Sequence, residues 1–185
     1  MRGMTIPMAT MLMAVLAGCA TGSGREPPPV NVNTRTLPAA ASAAAEAETP
    51  LGRALTDAVN RWRAEKGAAA LRTDATLERA AAVHAADMAQ RDYFGHHNPD
   101  GQGPRERVLA VDPDFSASLS ENIHRLDGAG YAATSDAALA MAIVEGWSRS
   151  PQHRRIMQSA AATRSGVGVA RTGTRIIAVQ VYAGD

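Results

Sequence analysis

Two runs rich in β-branched residues close the chain, Gly166-Val-Gly-Val-Ala170 and Ile176-Ile-Ala-Val-Gln-Val-Tyr182, with Thr172-Gly173-Thr174 between them. That composition predicts two strands joined as a hairpin. Upstream, apolar residues recur instead at helical spacing. Leu55, Val59 and Trp62 predict a helix over Leu51 to Lys66, ended by Gly67. Leu77, Ala81, His84 and Met88 predict one from Ala75 to Arg91, with Thr73 or Asp74 as N-cap and Glu78 in the first turn. Leu139, Ile143 and Trp147 predict a third after Ser135 or Asp136. Ser150-Pro151 then restarts the chain as a helix to Gln158, since Ser favours the N-cap and Pro the first helical position. A short helix from Arg105 to Val111, stopped by Asp112-Pro113-Asp114, and an extended Ser120 to His124 fill the middle. Helices with terminal strands make an α+β domain. The Gly166-x-Gly168 pair is no dinucleotide loop, because a third glycine is missing and a strand follows it.

One cysteine, Cys19, occurs in 185 residues, so the domain holds neither an internal disulfide nor a cysteine-based zinc site. Arg2, an apolar stretch from Met4 to Ala17, and Leu16-Ala17-Gly18-Cys19 read as a lipoprotein signal peptide over residues 1–18, with Cys19 as the lipidated residue. The stretch is too short for a permanent membrane span. Residues 19–50, with Gly22-Ser23-Gly24, Pro27-Pro28-Pro29 and an Ala-rich run from Ala39 to Glu48, read as a flexible tether. Residues 51–185 then form a single domain of ordinary size. Lys+Arg number 19 against 18 Asp+Glu, and a surface so balanced carries no basic stripe for nucleic acid. The implied partner is the membrane, through the N-terminal lipid, and Ala20 after the cysteine points to the outer membrane and periplasm of a Gram-negative cell.

Three separated segments hold four of the five histidines or adjoin them: Tyr93-Phe94-Gly95-His96-His97-Asn98-Pro99-Asp100-Gly101, Ser120-Glu121-Asn122-Ile123 before His124, and Trp147-Ser148-Arg149-Ser150-Pro151-Gln152-His153-Arg154. With the Gly166-Val-Gly-Val strand, and in this order, they resemble the CAP superfamily, the SCP-like extracellular domain of cysteine-rich secretory, antigen 5 and pathogenesis-related proteins. The resemblance covers nearly all of 51–185 and implies a CAP-type α-β-α sandwich. The cysteine-free form looks like the bacterial lipoprotein branch.

That family's cleft holds two histidines and two acids, which in several members bind zinc or another divalent ion. Carried over, the metal-binding candidates are His96, Glu121 and His153. The second acid is replaced by Ser150, which has a full structural role as a helix cap. Glu145 does not replace it, lying about 140° round the helix from position 150. His153 would stand third in its helix, beside the positive end of the dipole, which favours the neutral imidazole a metal needs. The structural alternative is a hydrogen-bonded network with no ion. His97 points away if the loop is extended, His84 is a satisfied core residue, His124 an exposed imidazole, Asn122 a partner for backbone groups, and Asp100-Gly101 a turn.

Three function classes remain. A non-catalytic, envelope-anchored binding module for a lipid or cell-envelope ligand fits best. A metal-dependent hydrolase of peptide or cell-wall bonds would use His96, Glu121 and His153, with the ion activating water; no catalytic residue can be assigned beyond them. A structural protein with a vestigial cleft is the third.

Overall fold

The computed structural model describes residues 36–46 and 48–184. The signal segment and Cys19 lie outside the described residues. The elements are α1 (Ala39–Ala44), α2 (Pro50–Glu65), β1 (Arg72–Thr73), α3 (Ala75–Arg91), α4 (Pro104–Val111), β2 (Ser118–Asp127), α5 (Asp136–Arg149), α6 (Pro151–Gln158), β3 (Arg164–Thr172) and β4 (Arg175–Gly184). Asp74 caps α3 through its carboxylate and Ser135 caps α5 through its hydroxyl, each accepting from a first-turn amide. Ser120 to His124 belongs to a longer strand than its local composition suggests. The length comes from pairing with β4 along the whole of β2, from Ser118↔Gly184 to Asp127↔Arg175.

The sheet runs β1-β3-β4-β2, antiparallel except for β1 beside β3, and β2 is an edge strand. Strand alternation divides the core into two faces. Val167, Val169, Ile176, Ala178, Tyr182 and Leu126 pack under α2, α5 and α6. Ile123, Ile177, Val179, Val181 and Ala183 pack under α3 and α4. The result is the expected α-β-α sandwich, a single domain.

Gly166 and Gly168 explain themselves here. A Cβ at Gly168 would stand 2.1 Å from the Ala82 nitrogen, and one at Gly166 2.0 Å from that of Glu78. The pair lets the α3 backbone lie directly on β3. On the opposite face Arg63, fully buried, donates to the carbonyls of Ala69, Met157, Ser159 and Ala162 and so holds the C-terminal end of α6 against α2.

Residues 36–46, read from composition as tether, are docked. Ala41 is completely buried against Val83 and Ala86 of α3. Arg79 of α3 donates to the Ser42 and Ala45 carbonyls. Composition concealed this because the contact uses small side chains that do not look like core. Among the described residues no helix is long and apolar enough to cross a membrane.

Candidate functional site

The site is organised by alternation along β2, the edge strand. Glu121, on the face of β2 that turns to α3 and α4, is buried. Asn122 and His124 turn to the α5–α6 side: the Asn122 amide donates to the His153 carbonyl at 3.1 Å, and the His124 ring lies edge-on to Trp147. A Cβ at Gly146 would lie 2.3 Å from the His124 ring, so that glycine makes room for the imidazole. His124 is thus half-buried rather than exposed. The Trp147 indole donates to the Ile123 carbonyl at 3.0 Å, tying α5 to the same strand.

Glu121 is held at both oxygens. His96 Nδ1 donates to Oε1 at 2.8 Å, and Arg107 Nη2 donates to Oε2 at 2.7 Å. The Arg107 and Glu121 side chains are each only 1% exposed, whereas that of His96 is 41% exposed. Burial alone would raise the Glu121 carboxyl; the His96 hydrogen bond and the Arg107 charge outweigh it and hold the group below the ordinary carboxylate range. With Nδ1 committed to Glu121, Nε2 is the ring nitrogen that His96 leaves uncommitted.

The loop carrying His96 is fastened from beneath. Arg107 Nη1 donates to the carbonyls of His96 (2.9 Å) and Gln102 (2.8 Å). His84 of α3 donates from Nε2 to the Gly95 carbonyl at 2.9 Å, and burial pushes its pKa down to about 4, so it stays neutral. Tyr93 donates to Asp87 at 2.6 Å, and Asp87 also takes a two-point ion pair from Arg91, which reaches Asp100 at 2.8 Å. Asn98 and Gln102 bond to each other through side chains and backbone, and Gly101, at φ 81°, turns the chain. His84 is a satisfied core histidine, and Asp100-Gly101 is a turn, as the sequence indicates. His97 is exposed, its ring turned towards Gly103 at the start of α4.

His153 stands third in α6, as its spacing predicts. Its pKa is lowered, first by burial and then by the charge of His96; His153 in turn lowers that of His124 after burial. The three imidazoles therefore lie within electrostatic reach across the end of the sandwich. Burial and His96 thus favour the neutral His153, in the same direction as its place in the first turn of α6. Ser150 occupies the N-cap position of α6, but its hydroxyl makes no capping bond; with Pro151 at the first helical position, one amide that would need a partner is absent.

Among the described residues no three His, Cys, Asp or Glu side chains are grouped to hold a metal. The chemistry of the donor set says why. A cation bound to Glu121 would displace a hydrogen bond or sit beside the Arg107 guanidinium. Glu121 stands behind His96 as its orienting partner, and only the His96 and His153 imidazoles remain as donors. The His₂Glu shell does not fit this arrangement.

Sequence reasoning passed over Arg107. Its signal is a charged residue beside Val108 on a short helix, in a chain whose one cleft carboxylate needs a partner on burial. Tyr182 and Gln180 were also missed: the Tyr182 hydroxyl donates to Gln180, which donates to Ser165, a buried polar line that meets Asn122. A cavity of about 780 Å³ lies elsewhere, between Ala44, Leu51, Ala86 and Val169.

The fold has counterparts in known structures. An outer surface protein of Borrelia burgdorferi superposes with a TM-score of 0.59 at 19% identity, over 71% of this chain and 90% of that one. An extracellular protein of Bacillus anthracis containing an SCP domain gives 0.59 at 23% identity, over 73% of this chain but 40% of its own length. NaASP2, crystallised with Zn²⁺, gives 0.53 at 14% identity, over 74% and 81%. A search of curated proteins found no match. The model of the cysteine-rich secretory protein family matches residues 56–182, and the chain belongs to that CAP family.

Proposed function

We propose that the chain is an exported lipoprotein, anchored through Cys19 after removal of residues 1–18, whose CAP domain is a non-catalytic binding module for a lipid or cell-envelope ligand. The lipobox-like Leu16-Ala17-Gly18-Cys19 supports the anchor. The surface and extracellular relatives support export. Glu121 carries the binding reading. Both of its oxygens are engaged, one in a buried ion pair with Arg107 and one in a bond to His96, so its first role is to fix the site's own residues. What is left for a ligand is ring nitrogen, His96 Nε2 and the His153 imidazole, which hydrogen-bonds hydroxyl or amide groups. Phe94, 42% exposed with the Arg125 guanidinium 5.3 Å above its ring, adds an apolar contact on the loop beside His96.

The test uses full-length protein extracted from its membrane in mild detergent. Mass spectrometry should find a co-purifying envelope component that is lost from His96→Ala/His153→Ala, and Cys19→Ala should move the protein to the soluble fraction. Zinc titration should give the same weak response in wild type and double variant. Turnover of peptide or peptidoglycan substrates that vanished in Glu121→Gln would overturn the non-catalytic reading.

A further inference from the structure

We propose that residues 36–46 form a releasable strap that sets the geometry of the His96 loop according to the state of the chain leading to the membrane. The inference rests on the cleft being the binding site, but its test reads the loop itself and needs no ligand. Docking and linkage are both visible. At one end Arg79 holds the Ser42 carbonyl at 2.9 Å, and Ala41 fills the space between Val83 and Ala86. At the other end the Thr36 carbonyl accepts from Gln102 Nε2 at 2.9 Å.

Gln102 is the hub of the loop. Its backbone carbonyl takes Arg107 Nη1 and the Asn98 amide, and its own amide and side chain bond the Asn98 side chain. Arg107 in turn holds the His96 carbonyl and Glu121. Thr36 is thus two side chains from the carboxylate that orients His96.

The strap is also the element most easily detached. A helix of six residues has no stability of its own in water, and α1 has no side-chain N-cap. Its one fully buried side chain is a methyl group, its carbonyls accept from Arg79, Gln90 and Gln102, and among the described residues no ion pair holds it. A pull on the upstream chain would act on Thr36 first, and a competitor for the α3 face on Ala41. Coupling of this kind is reciprocal: whatever loosens the strap loosens the loop, and the reverse, by the same factor.

Hydrogen exchange on the full-length protein tests this. Ala41→Asp places a charge in the alanine contact. The amides of Asn98, Gly101 and Gln102 should then exchange about tenfold faster, within the usual range for coupled sites, while Ile143 in α5 is unchanged. Conversely, Gln102→Ala should speed exchange of the Ser42 and Ala45 amides by a similar factor. If Ala41→Asp fails to fold, Arg79→Ala releases the strap from its other end and should give the same pattern. Strap amides fully exposed while residues 98–102 keep their protection would overturn the coupling. Protection lost throughout both layers in both variants would overturn the strap as a separable element.

Discussion

Replacing Arg107 with Met should be among the most damaging single changes to this domain. The guanidinium is 1% exposed and satisfies a carboxylate oxygen and two carbonyls, each at 2.7–2.9 Å. Met keeps much of the volume and leaves Glu121 as a buried charge with only His96 beside it. Removing one partner of such a pair costs about 3–5 kcal/mol, a large share of the roughly 5–15 kcal/mol that stabilises a domain. The lost carbonyl bonds overlap with that figure and do not add to it. At neutral pH, urea unfolding should show that loss. The pH dependence identifies its source. In wild type the Glu121 carboxyl lies below its ordinary range, so its contribution is present at neutral pH and is lost as pH falls through its folded value, below about 4.3. Without Arg107, burial raises the carboxyl above its unfolded value, and protonation on acidification relieves the variant. The gap between the two proteins should therefore narrow from pH 7 towards pH 4.5. Arg107→Met/Glu121→Leu should recover much of the loss. A cost below about 1 kcal/mol, a gap independent of pH, or a double variant no better than the single one would each refute the account.

Three further outcomes follow from the packing. His84, held near pKa 4 chiefly by burial, gains its proton more readily in the unfolded chain. Stability should thus fall between about pH 6.5 and 4, by roughly 3 kcal/mol. His84→Gln should flatten that slope in urea titrations, and an unchanged slope would clear His84. Gly168→Ala must push its methyl group into the α3 backbone, costing about 1–3 kcal/mol or more in thermal unfolding; an unshifted midpoint would contradict the close approach. Arg63→Met strands four carbonyls, with an expected loss of about 3 kcal/mol and faster amide exchange at the end of α6. Normal exchange there would show that Arg63 does not hold that helix end.

How far the sequence could be read depended on whether a residue's role is local. Helix periodicity, the caps at Asp74 and Ser135, the hairpin around Gly173 and the turn at Gly101 are set by neighbours in the chain, and all were legible. The motifs also brought His96 and Glu121 together, because a carboxylate and an imidazole in two family segments imply one cleft. What stayed hidden were partners chosen across the fold. Arg107 and Glu121 are 14 residues apart and Gln102 and Thr36 are 66 apart, and no periodicity announces either contact. The strap was the hardest of these. Its burial is by alanine, which reads as spacer when the face it covers is unknown.

Those hidden partners are what change the reading of the site. Counting motif residues gives ligands; counting the bonds each one already makes gives what is left over. Glu121 sits on the α3–α4 face of an edge strand, while Asn122 and His124 sit on the other face. The cleft therefore forms where the two helical layers meet around that edge, and His153 reaches it only through the position of α6. A metal shell would require both layers to aim donors at one point. Here one layer spends its carboxylate on holding its own histidine, and the other packs His124 against Trp147. The donors that remain, His96 Nε2 and the His153 ring, belong to different layers. A ligand that bridges them would also join the layers, so its binding should protect amides in both the His96 loop and the first turn of α6. Protection confined to one of the two would mean that the cleft does not work as a single site.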